Sequence, residues 1–455
     1  MKLNKTVLIY LLLISFGESM GQHSGLVSGP WAGNIELRNA VIWAEVSPSV
    51  KSVAIQYHSL NDPTVKTVAY RGTFGNPFNP VKIPLDGLQI NTLYSYKLLI
   101  DNKAVNTPFK TQFQTKELWQ YRKPAPDFNF FAGSCSYFNE PVHDRPGTPY
   151  GKDSSIFETM ANTPAAFNLW LGDSWYTREV DFYSAWGLEN RASVDRSKKV
   201  IQKFMAVMPQ YFIWDDHDYG PNNSGKEYIL KEDSRKVFKD YTLNPSYGED
   251  GKGIYTKLSF SDVDFFLTDN RYFRSEVSLV DSIGGKSNAD KTFFGKVQLE
   301  WLKNSLLFSN ATFKIIASGS QVLNPVSTTE CMRFYSYEYN DLIEFLSAHK
   351  INGIIFLTGD RHHSEVIKKE RAGFYPLYDV TVSPLTASVG KVTGAELNNP
   401  FRINKTLVEA QNFGNIFISG PKDQRMLKIV FTGLKGQKHA EWSINEKELK
   451  VKNTN

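Results

Sequence analysis

Three short acidic clusters, each closing an apolar run, constrain this chain more than any other feature. They are Leu-Gly-Asp-Ser-Trp-Tyr (171–176), Trp-Asp-Asp-His-Asp (214–218) and Thr-Gly-Asp-Arg-His-His (358–363). The runs before them, 166–170, 211–213 and 351–357, read as buried strands. Carboxylates and imidazoles at the carboxyl ends of neighbouring strands meet in one crevice of an α/β sheet. Such a cluster repels itself unless a multivalent cation sits among its members. The pattern therefore predicts an α/β core with a metal centre at its strand ends.

Each cluster carries a chemical reading. Gly172 permits a sharp turn at the strand end, which presents Asp173 and brings Tyr176 towards the same pocket. A carboxylate can bridge two cations, and a phenolate suits a hard cation such as Fe³⁺; the alternative is Asp173 capping the next helix beside a core tyrosine. Asp215, Asp216 and Asp218 surround His217. These carboxylates favour a protonated imidazole, a good stabiliser or general acid for a bound phosphate. Asn222 and Asn223 follow in a Gly-Pro turn and can supply amide oxygens to a metal or donors to a phosphate. Asp360 and His362 alternate, so they share one side wherever the chain stays extended. Arg271 follows another apolar strand, 263–268, and either it or Arg178 can bind a phosphate oxygen or form a structural ion pair.

The chain has two cysteines among 455 residues, Cys135 and Cys331. They can form one disulfide in an exported protein. Alternatively Cys135, at the end of the run 128–131, is a metal thiolate beside the acidic clusters.

Residues 1–21 are expected to be a secretory signal peptide. Lys2 and Lys5 precede the apolar stretch 7–16, and small residues 19–21 offer a cleavage site. No later run is long and apolar enough for a transmembrane helix, so the mature protein is expected in the periplasm or medium. Removing the segment lowers the formal charge from +5 to +4. There is no basic run or basic-aromatic stripe of the kind that binds nucleic acid.

Residues 25–115 read as an N-terminal β-sandwich, with alternation over 34–46, 53–57, 65–70 and 94–100 and regular Pro and Gly punctuation. Within it, 88–96 resembles the tyrosine corner of fibronectin-III-like domains. A linker at 116–127 leads to strands alternating with helices over 127–450. Helices are expected at 154–161 (capped by Ser154), 196–208, 226–241, 298–307 and 339–349, and strands at 254–260, 263–268 and 313–317. A strand meander, 416–419, 426–431 and 440–444, is expected to close the core.

Taken in order, the motifs Gly-Ser-Cys-Ser (133–136), 171–176, 214–218 with Asn222 and Asn223, Asp-Asn-Arg (269–271) and 357–362 resemble the alkaline phosphatase D, or PhoD-like, family of metallophosphatases. The resemblance spans about residues 25–445. It implies a metallophosphatase β-sandwich core flanked by helices and an Fe³⁺ and Ca²⁺ cluster that hydrolyses phosphomonoesters and phosphodiesters. Matched by motif, Cys135, Asp173 and Tyr176 would hold Fe³⁺. Asp215 or Asp216, one of Asn222 and Asn223, and Asp360 would complete the metal shell, with His217 and His362 facing the phosphate. Two departures stand out: Asp218 where Glu is frequent, with Gly220-Pro221 lengthening the approach to the asparagines, and Ser174 where an aromatic residue is common.

The reading that follows is metal-assisted phosphoester hydrolysis, with His217 and Arg271 neutralising charge on the phosphate. Its rivals are an exported binding protein stabilised by Ca²⁺, and a phosphodiesterase or phospholipase acting on lipid or polymer diesters.

Overall fold

A computed structural model describes residues 25–327 and 330–451. The expected signal peptide lies outside the described residues.

The first eight strands form two facing sheets. One joins Leu26–Gly33, Asn39–Val46 and Asn79–Asp86, all antiparallel. The other is built on Asp62–Ala69, Val53–Ser59 and Leu93–Ile100. Alternate residues such as Val53, Ile55, Ile83, Leu85 and Leu98 fill the space between them, the period-2 pattern of a sandwich. The tyrosine corner is present: Tyr94 accepts at its hydroxyl from the backbone N–H of Gln89, 2.8 Å away. The alternation expected from residue 34 instead begins at Asn39, because the chain turns through Asn34 at φ 44°.

The larger unit stacks two six-stranded sheets. The first runs in the order Gln210–Ile213, Asn168–Leu171, Phe128–Gly133, Asn412–Ser419, Met426–Gly433, Lys438–Asn445. Its first three strands are parallel, and the last three form the expected antiparallel meander. The second sheet has Val263–Leu267, Phe313–Ser318, Ile354–Thr358 and Phe374–Thr381 parallel, with Thr256–Phe260 and Glu365–Arg371 as antiparallel edges. Leu169, Leu171 and Ile213 of one sheet share an apolar cluster with Phe265, Ile315 and Leu357 of the other. Helices cover the opposite face of the first sheet, where Phe157 and Phe204 pack on Trp170 and Phe238 packs on Trp214. Strands covered on both faces read as continuous apolar runs rather than alternating ones, which is why their ends were visible in the sequence.

The two units are joined by direct contacts. Trp31 and Trp43 of the sandwich join the apolar cluster of the larger unit; the Trp43 ring lies 5.7 Å from that of Tyr241, and Trp43 Nε1 donates to the carbonyl of Asp240 at 2.7 Å.

Several local expectations need correction. The helix placed at 196–208 runs over Lys199–Val207, and a separate helix, Ala185–Arg196, precedes it. That preceding helix was not foreseen, because buried Arg191 bridges Asp181 and Asp195 on the face that an apolar stripe would occupy. Ser154 does not cap: the helix is Ile156–Ala161, and Asp153 Oδ1 takes the Ser155 N–H at 2.8 Å. The helix expected from 226 starts at Lys231. Cys135 and Cys331 are both buried and unpaired, so the disulfide alternative falls.

Candidate metal centre

The strand ends open on one another. Cys135 lies two residues beyond Phe128–Gly133, Asp173 two beyond Asn168–Leu171, Asp216 three beyond Gln210–Ile213 and Asp360 two beyond Ile354–Thr358. Glycines let these ends approach. A Cβ at Gly172 would stand 2.6 Å from that of Asp215, and one at Gly359 would stand 2.4 Å from the carbonyl oxygen of Leu171. Neither position can carry a side chain.

Cys135, Asp173, Asn223, Asp360 and His362 all have positive φ, between 53° and 69°. The left-handed region costs roughly 1–2 kcal/mol per non-glycine residue, and such strain gathers where a fold over-determines a functional site. Positive φ at Asp360 and His362 also corrects the extended segment expected there. The segment is a tight turn rather than an extended strand.

Asp173 is the hub. Its Oδ2 lies 3.0 Å from the Tyr176 hydroxyl and 3.5 Å from Cys135 Sγ. Its Oδ1 accepts from the backbone N–H of His217 at 3.3 Å. Asp173, Asp216 and His217 each present a ligand atom within 4.8 Å of the others. The carbonyl oxygen of Asp360 comes within 3.6 Å of Cys135 Sγ. The Tyr176 ring stacks on the His217 imidazole at 4.1 Å.

Burial and mutual repulsion make this cluster hold its protons. Burial pushes the Cys135 thiol up to about 12. Burial first, then Cys135 and neighbouring carboxylates for Asp173 and carboxylates for Asp360, raise both well above the carboxylate range. Asp216 goes the other way: burial opposes its ionisation, but His217 and Arg271 hold it below its ordinary value. His217 is lowered, because burial outweighs the pull of Asp216, the direction opposite to the one its acidic neighbours alone would give. Asp216 Oδ1 is buried without a hydrogen-bond partner. An orphaned carboxylate oxygen beside a thiol, a phenol and a second carboxylate is a donor set that fits a metal ion.

Not every expected residue faces this cluster. Asp215 Oδ1 is taken by Arg271 Nε at 2.5 Å and Asn270 Nδ2 at 2.8 Å. Arg271 is fully buried and also pairs with Glu330 at 2.7 Å, so its guanidinium is spent on carboxylates rather than open to a phosphate. Arg178 is likewise built in: it donates to Asp144 at 2.8 Å, to the Tyr176 carbonyl at 2.9 Å and to the Phe138 carbonyl at 2.5 Å. Asn222 and Asn223 are exposed. Asn223 touches the cluster through its backbone N–H, 2.8 Å from Asp216 Oδ2, and its side-chain amide lies against Glu330, to which it donates at 2.9 Å once its nitrogen is assigned to that side. His362 is half-buried in the turn after Asp360. Its Nδ1 lies 2.5 Å from the Ser388 carbonyl, which leaves Nε2 to accept from the Tyr150 hydroxyl at 3.2 Å.

Two residues were missed, and the role of a third, Asp218, was not read. Asp218 gathers the backbone N–H groups of Asp173, Ser174 (2.7 Å), Trp175 (3.2 Å) and Asp215 (3.0 Å), so it shapes the loop that presents Asp173. Its place in the acidic run was the signal, but its direction was not readable. Tyr150 and Glu330 come from loops without a periodic pattern. No local signal marks either.

The profile of PhoD-like phosphatases matches residues 130–411, well over half of the chain. The chain belongs to the PhoD-like phosphatase family. It is 20% identical over 380 residues to alkaline phosphatase D of Bacillus subtilis (strain 168), a match covering 72% of this chain and spanning 62% of that protein's length. The solved structure of PhoD superposes with a TM-score of 0.75 at 16% identity, covering 95% of this chain and 92% of the other. The purple acid phosphatase PPD1 of yellow lupin (Lupinus luteus) does so with 0.66 at 12% identity, covering 91% and 74%. The metallophosphatase-like core with an N-terminal β-sandwich is thus the family's fold, as the ordered motifs implied. All the residues from Cys135 to His362 fall inside the PhoD-like match.

Proposed function

We propose that this PhoD-like protein is an exported, metal-dependent phosphoric ester hydrolase acting on phosphomonoesters, phosphodiesters or both. The observation that carries the reading is the meeting of Cys135 and Tyr176 on one oxygen of Asp173. Thiolate, phenolate and carboxylate together suit Fe³⁺, and Asp173, Asp216 and Asp360 offer oxygens suited to Ca²⁺. Bound there, the cations would supply Lewis-acid polarisation of the phosphoryl oxygens and a water of lowered pKa.

The chain's own residues supply the rest. His217, held flat against Tyr176, is fixed in orientation at the edge of the cluster. His362 has its tautomer set by the Ser388 carbonyl, and its Nε2 in turn holds the Tyr150 hydroxyl. Arg271 acts indirectly, by holding Asp215 and Glu330 and by lowering Asp216. Export rests on the amino-terminal signal pattern and is tested by fractionating cells that express the full chain.

Turnover of p-nitrophenyl phosphate and bis-p-nitrophenyl phosphate, measured with and without chelator alongside elemental analysis, tests the activity. The reading expects chelator-sensitive turnover and bound iron with calcium. A metal-loaded protein inert towards both esters would overturn it.

A further inference from the structure

A second group of metal-ligating atoms stands on the other side of the segment that carries Asp360 and His362. His363, Glu365 and Glu396 each present one ligand atom, all within 4.8 Å of one another. His363 is 97% buried, and its Nε2 has no hydrogen-bond partner. That nitrogen points at Glu365 Oε1, 3.6 Å away. Glu396 Oε2 is also buried and without a hydrogen bond.

The remaining carboxylate oxygens are held in place from outside. Arg402 Nε donates to Glu365 Oε2 at 2.6 Å, and Gln321 Nε2 donates to Oε1 at 2.9 Å. Glu396 Oε1 accepts from Arg361 at 2.8 Å and from Asn324 Nδ2 at 3.0 Å. Arg402 stands 3.9 Å from Glu396 Oε2, too far for a hydrogen bond. Ligating carboxylates are characteristically fixed in this way by an outer ring of donors, which leaves one lone pair each for the ion.

We propose that His363, Glu365 and Glu396 form a second, structural divalent-cation site of the zinc class. It ties the turn after the strand Ile354–Thr358 to the short helical turn Gly394–Asn398. The donor set of one imidazole nitrogen and two carboxylates selects the ion. Two glutamates and two arginines leave the cluster near neutral, so charge alone gives a hard cation little affinity. An imidazole favours zinc over calcium, which takes oxygen ligands. Zinc bonds of about 2.0–2.1 Å place tetrahedral ligands roughly 3.3 Å apart. His363 and Glu365 are already near that spacing, and Glu396, with its side chain 12% exposed, can close the remainder.

The proposal is independent of the ester chemistry and is tested without it. Full-length protein stripped by chelator is titrated with Zn²⁺ in an Asp173→Asn, Asp216→Asn background that disables the Cys135–Asp173 centre. The expected result is one bound zinc per chain and a higher melting temperature with Zn²⁺ but not with Ca²⁺. Adding His363→Gln or Glu396→Gln is expected to weaken that zinc by at least about 100-fold while the metal-free melting temperature shows a folded protein. Co²⁺ in place of zinc is expected to give a visible absorption that both variants lose. No zinc in the background protein, or zinc retained equally in both variants, overturns the proposal and leaves His363 as a structural imidazole between two glutamates.

Discussion

The Tyr176 hydroxyl and Asp173 Oδ2 stand 3.0 Å apart, on the oxygen that Cys135 Sγ also approaches. One carboxylate oxygen thus meets a phenol and a thiol, each buried and each raised in pKa. A trivalent cation reverses this, because it stabilises both anions at once. Tyr176→Phe is therefore expected to keep the fold but lose iron and the visible phenolate-to-iron absorption, with turnover down by more than about 100-fold. Elemental analysis and the absorption spectrum of one preparation check it. A variant that keeps both iron and colour would mean that Tyr176 is not a ligand.

Asp218 predicts a different kind of failure. Its carboxylate collects four backbone N–H groups and the Ser174 hydroxyl. In Asp218→Asn an NH₂ group must face some of those donors. Hydrogen bonds to a charged acceptor are worth about 1.5–3 kcal/mol each, so a loss of about 3 kcal/mol in urea unfolding is expected. Because the same loop carries Asp173, metal content should fall with it. Unchanged unfolding would show that the loop is shaped elsewhere.

Much of this site was readable because it lies at the ends of doubly covered strands, where continuous apolar runs stop abruptly at Gly172-Asp173 and Gly359-Asp360. The direction in which a charged residue points was not. Arg178 and Arg271 look the same in sequence as phosphate ligands would, yet their guanidiniums are consumed by Asp144 and Asp215 from distant segments. Tyr150 reaches His362 across 212 positions of sequence, a contact that only the closed fold creates. The helix Ala185–Arg196 was hidden for a related reason, since buried ion pairs replace its apolar stripe.

Arg271 gives a sharper test of that distinction. It is fully buried between Asp215 and Glu330. Removing one partner of a buried pair costs about 3–5 kcal/mol, since the other charge is left unpaired. Arg271→Met should accordingly lower stability by that order and reduce metal occupancy. Restoring metal by excess in the assay should recover much of kcat with KM little changed. A large rise in KM at normal stability would instead place the guanidinium on the phosphate.

Glu45 links the N-terminal sandwich to the core and sets a pH dependence of its own. Its Oε1 accepts from the Tyr241 hydroxyl at 2.8 Å, while Oε2 is buried without a partner. Burial raises the carboxyl to about 7, against the smaller opposing effect of Ser193 and Tyr241 hydrogen bonds. A raised carboxyl means that the folded state binds the proton more tightly than the unfolded chain. Stability is therefore lost as pH rises from about 4.5 to about 7, and the full cost remains above that window. A shift of this size corresponds to at most about 3 kcal/mol. Glu45→Gln keeps an acceptor for Tyr241 and removes the charge. It should be more stable than the parent at about pH 8 and gain nothing at about pH 4.5. Denaturant melts across this range decide it: parallel curves for the two proteins would show that Glu45 is ionised in the folded state at no cost.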